Sequence, residues 1–115
     1  MGLEILSHLE IIEIMENYIS KHRPPEHLRE EIDLSYKIEE QSVILFEIRP
    51  EWKKPNEKME CNVAKATFVK TSNVWKVFWH KSDQKWHSYT PNPKVNTLKD
   101  FLKLVETDKH SCFWG

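Results

Sequence analysis

Apolar residues recur at intervals of three and four over the first 22 positions. Leu6, Leu9, Ile12, Met15 and Ile19 form one stripe, and Glu10, Glu13 and Asn17 fall on another face. That period predicts an amphipathic helix over residues 3–22. Ile5, Ile11, Ile14 and Tyr18 widen the stripe beyond what one sheet contact needs. The helix is therefore expected to be deeply covered or to touch a second copy. Ser7 and Glu10 have capping-box spacing, which would move the start towards Ser7. Arg23-Pro24-Pro25 ends the helix, because a residue before proline avoids helical dihedrals. Pro25–Glu30 leaves room for one more turn.

The period then changes to two. Ile32, Leu34, Tyr36 and Ile38 alternate with Asp33, Ser35 and Lys37, which marks a half-buried strand over about 31–39. Ser42–Arg49 is more uniformly apolar and reads as a more central strand, stopped by Pro50. Glu51–Glu60, with Pro55 and Asn56, reads as a charged loop. Further strands are expected at about 61–70, 74–80 and 85–90, joined by short loops as an antiparallel meander, with Pro91 and Pro93 ending the sheet. Ala64 and Ala66 leave space on the third strand for something bulky. Thr97 is placed to cap a last helix over 98–106, whose Leu98, Phe101, Leu102 and Val105 form one stripe. The apolar tail, Cys112-Phe113-Trp114-Gly115, is expected to dock on the domain or on a partner. The order gives an α+β fold: an antiparallel sheet of about five strands, rich in meander, flanked by an N-terminal and a C-terminal helix. Residues 1–115 are expected to form a single domain.

Charge changes this picture. The 115 residues carry a net charge of −1, yet residues 1–51 hold 12 acids against 5 bases (−7) and residues 52–103 hold 11 lysines against 4 acids (+7). Such halves attract each other, pair two copies head to tail, or offer a basic surface to an anionic partner. Five Trp, five Phe and three Tyr argue for a packed core. Cys61 and Cys112 make no disulfide framework and are expected to be free. No window is apolar enough for a membrane span, and residues 1–20 lack a signal-peptide pattern. A cytoplasmic protein without membrane association or cofactor is the expectation.

Several stretches resemble one known family in both order and spacing. They are Arg23-Pro24-Pro25, Gln41-Ser42-Val43, Phe46-Glu47-Ile48-Arg49-Pro50 with Trp52, and Val63-Ala64-Lys65-Ala66-Thr67. Trp75 to Trp79, Lys85-Trp86-His87 with Tyr89 and Pro91, and the closing Cys112-Phe113-Trp114-Gly115 follow. Over about residues 22–115 the chain resembles the bacterial domain-of-unknown-function family numbered 3024. The loop Lys81-Ser82-Asp83-Gln84 is more polar than the Arg-Ala-Asp-Leu common there. The resemblance implies a bacterial, cytosolic, single-domain protein. It implies no catalytic residues, cofactor or partner.

Two groups of residues are candidates for function. A three-residue turn at Glu39–Gln41 would set Ile32, Leu34 and Tyr36 opposite Ile48, Phe46 and Ile44 on one apolar face. Asp33 would then oppose Glu47 on the other face, with Arg49, Lys37 and Lys65 as neutralising cations. The cluster Asp33, Glu47, Arg49 and Lys65 reads as a structural ion network. Alternatively it is the carboxylate pair of a metal-dependent phosphodiester hydrolase, although Arg49 stands where such sites carry a lysine. The second group is aromatic and basic: Trp52, Lys76, His80, His87 and Tyr89, among interleaved lysines. Rings plus cations hold single strands without base-specific contacts. His80 and His87 would share a face if Trp79 paired with Trp86, but a metal needs a third ligand, so no metal is expected. The leading reading is a small binding or interaction module, for nucleic acid or another anionic partner. A homodimer formed through the first helix or the tail, in a purely structural or oligomerisation role, is a further reading.

Overall fold

The computed structural model describes residues 5–114, with side chains from His8 onward. Helix α1 spans Ile5–His22 and helix α2 spans Leu98–Thr107, with a single 3₁₀ turn at Glu26–Leu28. Between them lie β1 (Asp33–Glu39), β2 (Ser42–Pro50), β3 (Lys58–Val69), β4 (Val74–His80), β5 (Trp86–Ser88) and β6 (Lys94–Val95). The α+β fold is as the pattern predicts. The strands run β1-β2-β3-β4-β5 in one antiparallel sheet, and β6 joins the same edge of β4 that β5 occupies. Pro91 and Pro93 interrupt that edge without ending the sheet. Neither can donate to a ladder, yet the Pro93 carbonyl accepts from Val77 N at 2.9 Å and the chain rejoins at Lys94.

The buried stripe of α1 is not the one expected. Ile11, Met15 and Tyr18 are buried, with Ile14 and Ile19 packed beside them, while Leu9 is 57% exposed. The helix wedges against β1 and α2 together, and that double contact selects the Ile11–Met15–Tyr18 row. Ser7 lies inside the helix, so Ser7–Glu10 is not its cap. The proposed start at Leu3 falls outside the described residues. Helix α2 is capped as expected, with Thr97 Oγ1 accepting from Asp100 N at 3.1 Å.

Both helices cover one face of the sheet. That face presents Leu34, Tyr36 and Ile38 of β1, Val43 and Leu45 of β2, and Ala64 and Ala66 of β3. Trp75, Val77 and Trp79 of β4 complete it. The alanines, both 0% exposed, lie where α2 crosses β3. The tail closes the far end: Phe113 is buried against the Tyr89 ring at 4.7 Å, and Trp114 Nε1 donates to Val105 O at 2.9 Å. The tail thus docks on its own chain. No described helix is long and apolar enough to cross a membrane.

Two registers differ from expectation by one residue, and each moves side chains between faces. The β1–β2 turn has two residues, Glu40 and Gln41, so Asp33 pairs with Ile48 and Leu34 with Glu47. Glu40 adopts φ 52°, the left-handed geometry a two-residue turn requires. In the β4–β5 hairpin Trp79 pairs with His87 and His80 with Trp86, because Gln84 at φ 67° and the Asp83 side chain, accepting from Lys85 N, support a loop of five.

Candidate functional site: the open face of the sheet

The face turned away from the helices can be read across the strands from the pairing. One row is Glu39, Ser42, Thr67, Lys76 and Lys94; the next is Lys37, Ile44, Lys65, Phe78 and Ser88. A third row is Ser35, Phe46 and Asn62, where Val63 bulges out of register in β3, and the His80–Trp86 pair lies on the same face beyond the end of the β3–β4 ladder. Ile44, Phe46 and Ile48 therefore belong to this face and not to the helix-covered core. Ile44 and Phe46 are still only 5% exposed, in part because the Lys37 ammonium lies over the Phe46 ring, 5.4 Å from its centroid. This is how β2 comes to be apolar on both faces.

At the centre stands Lys65. Its Nζ lies 5.0 Å from the centroids of both Phe78 and Trp86, and His80 packs edge-on against Trp86 at 4.9 Å. Lys65 is half-buried and makes no ion pair among the described residues. Burial pushes its ammonium below the usual lysine range, opposed in part by the charge of Glu39. Ser42 Oγ and Thr67 Oγ1 share a hydrogen bond of 2.7 Å beside it. A shallow basin of about 730 Å³ opens here, lined by Ser42, Ile44, Lys65, Trp86 and, at its rim, Glu39 and Glu40. Charge is graded across the face. Acids mark the β1 edge, where Lys37 holds Glu60 at 3.0 Å and Glu39 at 3.7 Å. Exposed Lys76 and Lys94 mark the β4–β6 edge.

The expected cluster of Asp33, Glu47, Arg49 and Lys65 is not assembled. Asp33 lies on the open face and Glu47 on the helix side, because the two-residue turn shifts the register by one. Glu47 pairs with Arg49 two positions along its own strand, at 3.2 Å. Asp33 is instead clamped by Arg23, through Nε at 3.2 Å and Nη2 at 2.6 Å, and it also accepts from Leu34 N. Arg23 was legible only as a helix terminator; nothing in the sequence pairs it with a residue ten positions on. The carboxylate pair that a hydrolase would need is thus split between two faces. His80 and His87 are split likewise, His87 turning to Asp83 at 2.8 Å. Among the described residues no group of three or more His, Cys, Asp or Glu is placed to hold a metal ion. Both cysteines are free. Tyr89 is 2% exposed in the core, so its ring offers no surface. Trp52 is 81% exposed in the β2–β3 loop, with Lys53 over its ring at 5.0 Å.

The Arg23–Asp33 clamp makes a pH prediction. Burial alone would raise the Asp33 carboxyl. The Arg23 hydrogen bond, the Leu34 amide and the charges of Arg23 and Arg29 together outweigh it and hold the pKa below the carboxylate range. A depressed folded pKa stabilises the fold fully above the unfolded value, about 3.9, and that contribution is lost as pH falls through the folded value. Asp33→Asn should therefore melt lower than the parent at pH 7, with the gap closing in acid. Equal melting temperatures at pH 7 would remove the clamp's role.

The model of one family, described as a domain of unknown function (DUF3024), matches residues 5–115. The chain belongs to this family. No curated protein and no solved structure matches this DUF3024 chain.

Proposed function

We propose that the open sheet face binds single-stranded nucleic acid, with backbone phosphates drawn to Lys65, Lys76 and Lys94 and bases stacked on Trp86 and Phe78. The observation that carries this reading is Lys65: a half-buried ammonium that makes no ion pair among the described residues, held between two rings on a face that no described helix covers. A cation so placed is short of an anion, and an aromatic ring at its side suits a base more than a free phosphate. An uncovered sheet face carrying aromatic residues is a recurrent platform for splayed single strands. The acidic β1 edge sets a boundary, so the strand would run along β3 and β4 towards β6.

The test is a gel shift or fluorescence-anisotropy titration with single-stranded oligonucleotides over a salt series. Affinity should fall steeply with salt. Trp86→Ala should weaken binding by about tenfold or more, the usual effect of losing one stacked base. Trp52→Ala, on the loop beyond the platform, should cost less. No binding at low salt by the folded parent would end the proposal.

A further inference from the structure

A second site stands at the opposite end of the molecule's chemistry. A cavity of about 290 Å³ opens where α1 and α2 both end, lined by Tyr18, His22, Leu34, Glu47, Glu106 and Trp114. It is rich in acceptors. Arg49 places both of its contacts on one oxygen of Glu47, Oε1, and no described residue hydrogen-bonds Oε2. Among the described residues Glu106 forms an ion pair only with His22, whose Nε2 lies 3.7 Å from its Oε1. Tyr18 is 7% exposed, so its ring forms a buried wall of the cavity. Burial first, and then the charge of Glu106, push that phenol up to about 12, so it stays neutral.

The walls add to the preference. The Tyr18 and His22 rings stack at 4.3 Å. Trp114 is fixed by its indole bond to Val105 O and by its backbone N, which donates to Asp108 at 3.0 Å. Ring faces attract cations. Donors inside are few, since Arg49 faces Glu47. An anion would meet two carboxylates here, and the donor set is not one that holds a metal ion.

We propose that this cavity binds a small organic cation, an alkylguanidinium or alkylammonium, at a site separate from the open sheet face. Several N–H donors on one flat cation reach the carboxylates of Glu47 and Glu106 together, while its alkyl stem lies on Leu34. The same chemistry is presented by a free metabolite and by an arginine or lysine side chain of a peptide.

The full chain is titrated with butylguanidinium at constant ionic strength, and the Trp114 indole and His22 resonances are followed by NMR. Neutral butylurea serves as the isosteric control. Saturable shifts with the cation and none with the urea are expected. Glu106→Gln, at an exposed position that should fold normally, should weaken binding about threefold to tenfold, and Glu47→Gln by a similar factor. An arginine peptide that binds more tightly than butylguanidinium would point to a polypeptide source, and the reverse to a free cation. Absence of saturable shifts, an equal response to butylurea, or unchanged binding in both folded variants would overturn the proposal. Oligonucleotide binding should be unaltered in Glu106→Gln, so the two sites succeed or fail separately.

Discussion

Replacing Phe101 by alanine should lower the unfolding free energy by about 3–5 kcal/mol, the usual cost of emptying a fully buried aromatic site. Phe101 is 0% exposed on α2, in one stripe with Leu98, Leu102 and Val105, and α2 crosses the sheet over β3 and β4. At that crossing β3 carries Ala64 and Ala66, each 0% exposed. The small residues let the helix approach closely, so there is little nearby side chain to relax into the space a missing ring leaves. A domain of this size has a total stability of roughly 5–15 kcal/mol, and the variant would lose a large share of it. The measurement is a denaturant midpoint with unchanged slope. Leu9→Ala is the control: at 57% exposed, it should change stability by no more than about 0.5 kcal/mol. A loss below about 1 kcal/mol for Phe101→Ala would mean that α2 is not docked as described.

The elements were legible in the pattern because their periods are strong. The stripe of α2, the Thr97 cap, the alternation in β1 and the apolar run of β2 each name their element. The faces were less legible, because they depend on turns. A two-residue turn is announced by Asn-Gly or Asp-Gly, and here Glu40 adopts the left-handed geometry with no such signal. The competing three-residue turn has its own apparent logic, since it places Ile44, Phe46 and Ile48 with Leu34 and Tyr36. It failed because β2 is apolar on both sides, and alternation in a neighbour cannot say which side faces the helices. One residue of slip in the first hairpin separated Asp33 from Glu47, and a separate slip in the β4–β5 hairpin set Trp86 on the face of Lys65. The cavity at the helix ends was not legible at all. Tyr18 and His22 of α1, Glu47 of β2, Glu106 of α2 and Trp114 of the tail come from four separate segments, and no pattern within any one of them points to the others. Lys65 itself is legible from charge alone; its place between two rings, with no ion pair among the described residues, appears only once the strands are paired.

Lys65→Met should separate stability from binding. A lysine whose folded pKa is depressed carries a penalty for its charge at every pH below that value. The penalty fades as pH rises from the folded pKa towards the unfolded one. At neutral pH the charge is therefore a burden to the fold, caused first by burial. Methionine keeps the length and the packing against Phe78 and Trp86 and removes the charge. The loss of two ring–cation contacts, each worth about 0.5–1 kcal/mol at accessible sites, opposes the gain. The melting temperature should accordingly hold or rise slightly. Oligonucleotide affinity should move the other way, falling about tenfold at low salt, and the slope of log K against log salt should shrink by about 0.7, the share of one phosphate on a single strand. A residue kept only as a prop would behave in the opposite manner, losing stability on substitution and leaving the salt slope untouched. Lys65→Arg sharpens the contrast, because it retains the charge and stacks on the same rings; it should keep the parent's salt slope. Measured together, thermal melts and salt-dependent titrations of the parent and the two variants decide whether the unpaired ammonium is there for the fold or for a ligand.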